Sequence, residues 1–160
     1  KTKKTGLLWG VGAAGTLPTA TDADIAGKQW RLGPELFGGV IREWGLVGAL
    51  VSNQWDVGGW EDKSYSAMTA QYFYAYGLGN GWQIASSPII TYDWKADSDQ
   101  ALSLPLGFGV AKTTKLDGKP WKFSAQVQYF VEQPDAFGSD WLIKFTFTPV
   151  VQNKLASFFK

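Results

Sequence analysis

The sequence predicts an all-β fold: an antiparallel up-and-down transmembrane β-barrel, with about eight strands in this chain. Three observations carry that expectation. Side chains alternate with period two over most of the length, one face of nearly every alternating segment is free of charge, and tryptophans sit near the segment ends.

The segments run roughly over 6–16, 29–42, 45–57, 64–77, 81–94, 100–114, 120–132 and 140–152. In the first, Leu7, Trp9, Val11 and Ala13 alternate with Gly10 and Gly12. The second sets Trp30, Leu32, Pro34, Leu36 and Val40 against Arg31, Gly33 and Glu35, and the third sets Val47, Ala49, Val51 and Trp55 against Ser52 and Gln54. In the fourth, Met68, Ala70, Tyr72, Tyr74 and Tyr76 oppose Thr69 and Gln71. The fifth places Trp82, Ile84, Ser86, Pro88, Ile90, Tyr92 and Trp94 on one side and Gln83, Ser87, Thr91 and Asp93 on the other. The sixth alternates Leu102, Leu104, Leu106, Phe108 and Val110 with Ser103, Gly107 and Gly109. In the seventh, Trp121, Phe123, Ala125, Val127 and Tyr129 oppose Lys122, Ser124, Gln126, Gln128 and Glu132. The last sets Trp141, Ile143, Phe145, Phe147 and Val151 against Lys144, Thr146 and Thr148. The second face is mixed, since Phe37, Leu46, Leu50, Phe73, Ile89 and Phe130 share it.

Connections alternate in length. Tight ones fall at 43–45, 78–80 and 115–119, and longer ones at 17–28, 58–63, 95–99 and 133–139, so short turns gather on one side together with both termini. Pro34, Pro88, Pro105 and Pro149 fall inside segments, where each removes a ladder donor and calls for a bulge or a sheared register.

The direction of the apolar face decides between two barrels. A soluble one would turn that face inward around a cavity, whereas a membrane barrel shows it to lipid. Trp30, Trp55, Trp82, Trp94, Trp121 and Trp141 lie near the ends of the apolar face, where amphipathic rings meet lipid headgroups. From Trp82 to Trp94 the rise of ~3.3 Å per residue, at a tilt of about 45°, spans roughly 28 Å, close to the ~25 Å apolar band of such barrels. The charge-free stretch 64–92 is long enough for a transmembrane helix, but Gly79, Asn80 and Gly81 interrupt it.

Composition narrows the chemistry. The 160 residues are 45% hydrophobic and suit a single domain over 1–160. Nine Trp, six Tyr and ten Phe stand beside nineteen Gly, a balance that favours strands and turns. With no Cys and no His, the chain lacks thiolate nucleophiles, Ser-His-Asp triads and the usual zinc donor sets. An enzyme would have to work with carboxylates alone, such as Asp93 with Glu132 or Glu35, and none is expected. A net charge of +1 offers no field for nucleic acid. The start KTKKTGLLWG has no apolar h-region, as expected of a mature or trimmed chain.

The stretches WGVGAAGTLPTATD (9–22), GLVGALVSNQWDVGG (45–59), GWQIASSPIITYDWKAD (81–97), PLGFGVAK (105–112) and VQYFVEQPDAFGSDWLIKFTF (127–147) carry a resemblance. In this order they resemble a family of outer-membrane β-barrels named for transport linked to the meta pathway of phenol degradation. The resemblance covers nearly the whole chain. It implies the C-terminal portion of a larger barrel, a Gram-negative outer-membrane location, and a porin-like channel that passes hydrophobic or aromatic small molecules.

The candidate lumen-lining residues are Arg31, Glu35, Gln71, Asp93, Lys122, Gln126, Gln128, Glu132 and Lys144. Charges in a pore set ion preference. In a narrow barrel the same residues pair with each other and fill the interior, which makes a plugged scaffold with partner-binding loops the alternative. A soluble carrier of apolar ligands would instead stay in solution without detergent. The expected partners are membrane lipid and an apolar small molecule; no cofactor and no metal are expected. Asp22 and Asp24, like Asp97 and Asp99, read as solvated loop acids, and Lys1, Lys3 and Lys4 as a solvated terminus. Gly10-x-Gly12 and Gly107-x-Gly109 precede no helix and form no dinucleotide site.

Overall fold

A computed structural model describes residues 5–19, 28–60, 64–135 and 139–149. Lys1, Lys3, Lys4, Asp22, Asp24 and Val151 lie outside the described residues. Over the described residues the chain is all-β and forms one antiparallel sheet of nine strands. They are β1 (Gly6–Thr16), β2 (Gln29–Arg42), β3 (Gly45–Gly59), β4 (Ser66–Gly79), β5 (Trp82–Ser86), β6 (Ile89–Asp93), β7 (Leu102–Leu116), β8 (Lys119–Glu132) and β9 (Trp141–Pro149).

Strand follows strand as a meander in the order β1-β2-β3-β4-β5-β7-β8-β9, with β6 pairing to β4 and β7. The fifth predicted strand is thus two strands that share one track. The tight turns centre on Glu43-Trp44, Asn80-Gly81 and Asp117-Gly118. Asn80 and Asp117 take φ of 50° and 49°, and the glycine after each is also positive, at 79° and 75°. Those left-handed pairs match the right-handed twist of the flanking strands and are the reason for Asn-Gly and Asp-Gly here.

The register joins the predicted faces into two continuous surfaces. On the apolar side Trp9 meets Gly38, Val40 meets Val47, Val47 meets Tyr74, Tyr76 meets Ile84, and Ile84 meets Val110. The row continues with Val110 against Ala125 and Ala125 against Phe145. This surface is open: Trp9, Leu36, Leu106, Phe108, Ile143, Phe145 and Phe147 are each more than half exposed. Among the described residues the buried apolar side chains are Ala101, Ala111, Pro88 and Pro105. There is no conventional core.

The mixed side is concave. A cavity of about 270 Å³ is lined by Leu46 of β3 and by Lys144 and Thr146 of β9. Along the sheet these strands are five steps apart, about 24 Å if it were flat at ~4.8 Å per step. Sharing one cavity of that size requires the sheet to roll up around it. β1 and β9 end the order and are not paired with each other among the described residues.

Three of these four prolines, Pro34, Pro88 and Pro105, sit where the ladder lapses. Pro34 falls in a gap of the β2–β3 register, which passes from Leu32↔Trp55 directly to Glu35↔Ser52. Pro105 adjoins a bulge against β8, and Pro149, the last described residue, pairs with Trp121. Pro88 lies in the break between β5 and β6. That break is no slip, since Tyr74↔Ser86 and Gln71↔Ile89 keep one alignment on β4 and no residue is inserted.

On the β7 side the break leaves a longer opening. Pairing stops after Ile84↔Val110 and resumes at Thr91↔Ser103. Two tyrosines span the interval from β4. The Tyr72 hydroxyl donates to the Pro105 carbonyl at 3.2 Å and accepts from the Gly107 N–H at 3.4 Å, and the Tyr74 hydroxyl donates to the Gly107 carbonyl at 3.0 Å. Side chains here do the work of the missing ladder bonds.

The proline itself is displaced toward the concave side. Ser86 Oγ and Pro88 Cγ occupy the space that a Cβ on Gly107 would need, so position 107 admits only glycine without a shift. Sequence parity places Pro88 on the open apolar surface; the structure instead buries it fully, because the strand dips inward beneath Tyr72 and Tyr74.

Candidate functional site on the concave face

The predicted lumen residues divide into three places. Arg31 and Glu35 sit on β2. Arg31 faces Thr16 of β1 and Asp56 of β3, and its guanidinium lies 3.6 Å from the centroid of the Tyr65 ring. Arg31 Nε is buried with no hydrogen-bond partner. Ring stacking stabilises the cation where the hydrogen bond is missing. Glu35 lies between Gly12 and Ser52, far along the sheet from the cavity-lining β8 and β9.

Asp93 and Glu132 belong to the end with long connections. Asp93 Oδ1 accepts from the Lys95 N–H at 2.8 Å and closes the turn after β6. Asp97 and Asp99 are exposed in the same connection. Glu132 is exposed and pairs with Leu104 beyond the bulge, where the register between β7 and β8 shifts. The alternation that assigns Glu132 to the mixed face therefore does not carry through the bulge.

The remaining residues converge. Lys122, Gln126 and Lys144 line the cavity together with Ser86, Ser87, Ser124 and Thr146. Gln126 faces Lys144 across the β8–β9 ladder and donates from Nε2 to Ser86 Oγ at 2.7 Å. Gln71 reaches the Ser87 carbonyl at 3.5 Å, a long contact. Gln128 is buried between Gly107 and Leu142. Phe73, Leu46 and four alanines also line the cavity, with Phe73 stacked on Phe37 at 6.0 Å between centroids.

Alternation places Ser87 on the mixed face but misses Ser86 at the break. Ser86 belongs by alternation to the apolar face, yet its hydroxyl meets Gln126 of the mixed face because the chain dips there. A Ser-Ser-Pro triplet inside an otherwise apolar strand is the available signal, since proline announces a ladder gap and the serines are its polar neighbours.

The tryptophans form two rows. At the end with long connections, Trp30, Trp55, Trp94 and Trp141 are exposed, and Trp94 Nε1 donates to Asn53 Oδ1 at 2.8 Å. At the tight-turn end stand Trp44, stacked on Tyr76, and Trp82, with Lys112 Nζ 4.9 Å from its ring centroid. Trp121, half-buried, stacks on Phe123 in the same row.

The fold and this site define a rolled antiparallel meander with an apolar convex surface and a polar concave cavity. No family model, no curated protein and no solved structure matches the chain.

Proposed function

We propose that the protein is a membrane-spanning β-barrel, of the outer-membrane type, that acts as a porin-like channel for small apolar or aromatic molecules. One observation carries the reading: large apolar side chains cover the convex surface, while the polar side chains gather on the concave face, mixed there with Leu46 and Phe73. In water, a contiguous apolar surface of that extent drives association, and a bilayer is the solvent that suits it.

Three further features support it. Two rows of tryptophan flank the apolar zone, as interfacial rings do. The ladder lapses at Pro88 are filled by tyrosine hydroxyls, which matters most where no water is present to satisfy a backbone carbonyl. The motifs that resemble outer-membrane transporters point the same way. On this reading β1 and β9 find partners in the membrane, either each other or further strands, because an unpaired edge in lipid is costly.

Reconstitution into planar bilayers tests the channel. Discrete conductance steps are expected; a protein that inserts, as judged by protease protection, and passes no current at any voltage overturns the channel in favour of a plugged scaffold. A protein that stays monodisperse in buffer without detergent overturns the membrane reading altogether.

A further inference from the structure

We infer that the concave cavity is a binding site for a small organic carboxylate, with Lys122 and Lys144 holding the carboxylate and the Phe73 side receiving its apolar body. This rests on the concave face being the ligand-facing one.

The floor of the cavity is built by two paired strands. Ser124 of β8 and Thr146 of β9 face each other directly. Lys122 precedes Ser124 by one pleat and Lys144 precedes Thr146 by one pleat; because the strands are antiparallel, the lysines flank the two hydroxyls on opposite sides. All four side chains line the same cavity. An oxyanion resting on the hydroxyls is therefore reached by a cation from each direction, with charge-assisted hydrogen bonds available to both oxygens.

No carboxylate of the described residues lines the cavity. The acids of the concave face lie elsewhere: Glu35 and Asp56 on β2 and β3, Asp93 at the far end of β6. Two cations without an acid in one recess favour a bound anion over an internal ion pair. Leu46, Phe73 and four alanines give part of the remaining wall, beside Ser86, Ser87 and Gln126, an apolar character that inorganic anions do not need. At about 270 Å³ the recess is slightly smaller than drug-sized pockets, which begin near ~300 Å³, and so suits a compact ligand.

Hexanoate is the probe and hexanol, of equal length and no charge, its counterpart. Binding of each to the whole protein, held in lipid nanodiscs, is measured by saturation-transfer NMR and by calorimetry, with protein-free nanodiscs subtracted. Hexanoate is expected to bind at least tenfold more tightly than hexanol. Lys122→Gln and Lys144→Gln each weaken it by roughly tenfold, the usual size of one hydrogen bond to a charged group. Lys122→Arg and Lys144→Arg each retain most of the affinity, and unchanged unfolding midpoints show that the Gln variants fold. Equal binding of the two probes, no hexanoate binding, or Gln variants with unchanged affinity overturns the site. The outcomes separate from those of the channel: a protein that conducts but does not discriminate the probes loses only the site, whereas one that binds hexanoate and never conducts keeps the site and loses the channel.

Discussion

Strand β7 has two flanks, and they are built differently. Against β8 it pairs almost without interruption from Leu104 to Leu116, with one bulge beside Pro105. Against β5 and β6 it pairs only at the ends, through Trp82 to Ile84 and through Thr91 and Tyr92. On the first flank the backbone satisfies itself. On the second, Tyr72 and Tyr74 of β4 supply the hydrogen bonds, and Gly107 supplies the room. The difference teaches that a strand interior tolerates proline when a neighbouring side chain can serve the orphaned carbonyl. It also shows why the break coincides with the cavity: the same inward dip that frees the carbonyls delivers Ser86 to Gln126.

The largest expected effect tests the premise that both flanks of β7 stand in lipid. Phe108 is exposed at mid-strand on the convex surface. Phe108→Arg is expected to cost about 2–4 kcal/mol in a bilayer, against less than about 0.5 kcal/mol for Thr91→Arg on the concave face, where the residue is exposed. Urea unfolding in lipid vesicles measures both. Equal costs would mean that the convex surface does not meet lipid.

Next comes the space at position 107. Gly107→Val forces Ser86 and Pro88 aside and is expected to destabilise by about 1–3 kcal/mol, with loss of hexanoate affinity because the cavity wall moves. Gly10→Val is the matched control, since a Cβ there meets nothing within 4 Å. Identical unfolding midpoints for the two variants would show that the dip is not tightly packed.

The hydroxyls follow. Tyr72→Phe removes a group that both donates and accepts, leaving Pro105 O and Gly107 N without it, at a cost of about 1–2 kcal/mol. Tyr76→Phe, whose ring is exposed beside Trp44, is expected to change stability by less than about 0.5 kcal/mol. Amide exchange at Gly107 supplies a local readout: faster exchange in Tyr72→Phe and not in Tyr76→Phe marks the hydroxyl as the ladder substitute.

The regular flank was legible in the sequence and the broken one was not, for a physical reason. Period-two alternation is local, so the limits of β1 and β2 are readable from neighbouring residues alone, and parity carries the apolar face across the whole meander. Parity holds only while the pleat is unbroken. Ser86 borders the break, Pro88 lies in it and Glu132 follows a bulge, and each departs from its expected face or pairing. What makes Pro88 tolerable lies in other strands, since Tyr72 and Pro105 are 33 residues apart in sequence. Lys122, Gln126 and Lys144 were readable as mixed-face residues; their meeting in one cavity depends on how tightly the sheet rolls, which no single strand encodes.

The smallest effect belongs to the tight-turn end of the interrupted flank, where β5 and β7 do pair. Lys112 lies opposite Trp82 on the otherwise apolar side, its Nζ donating to the Asn80 carbonyl at 2.7 Å and standing near the indole face. A long stem lying along apolar surface with its charge carried to the turn is how lysine occupies an interface. Lys112→Gln removes the cation from the ring and is expected to cost about 0.5–1 kcal/mol, while Lys112→Arg retains most of it. Trp82 is the natural reporter. If the tight-turn end lies at a headgroup interface, depth-dependent quenching by lipid-borne nitroxides places Trp82 shallow in both variants, and only Lys112→Gln loosens the turn, seen as faster exchange at the Thr113 amide that donates to the Gly81 carbonyl. Unchanged exchange there would mean that the left-handed Asn80-Gly81 pair alone holds this corner, and that the cation serves only to keep the strand end in water.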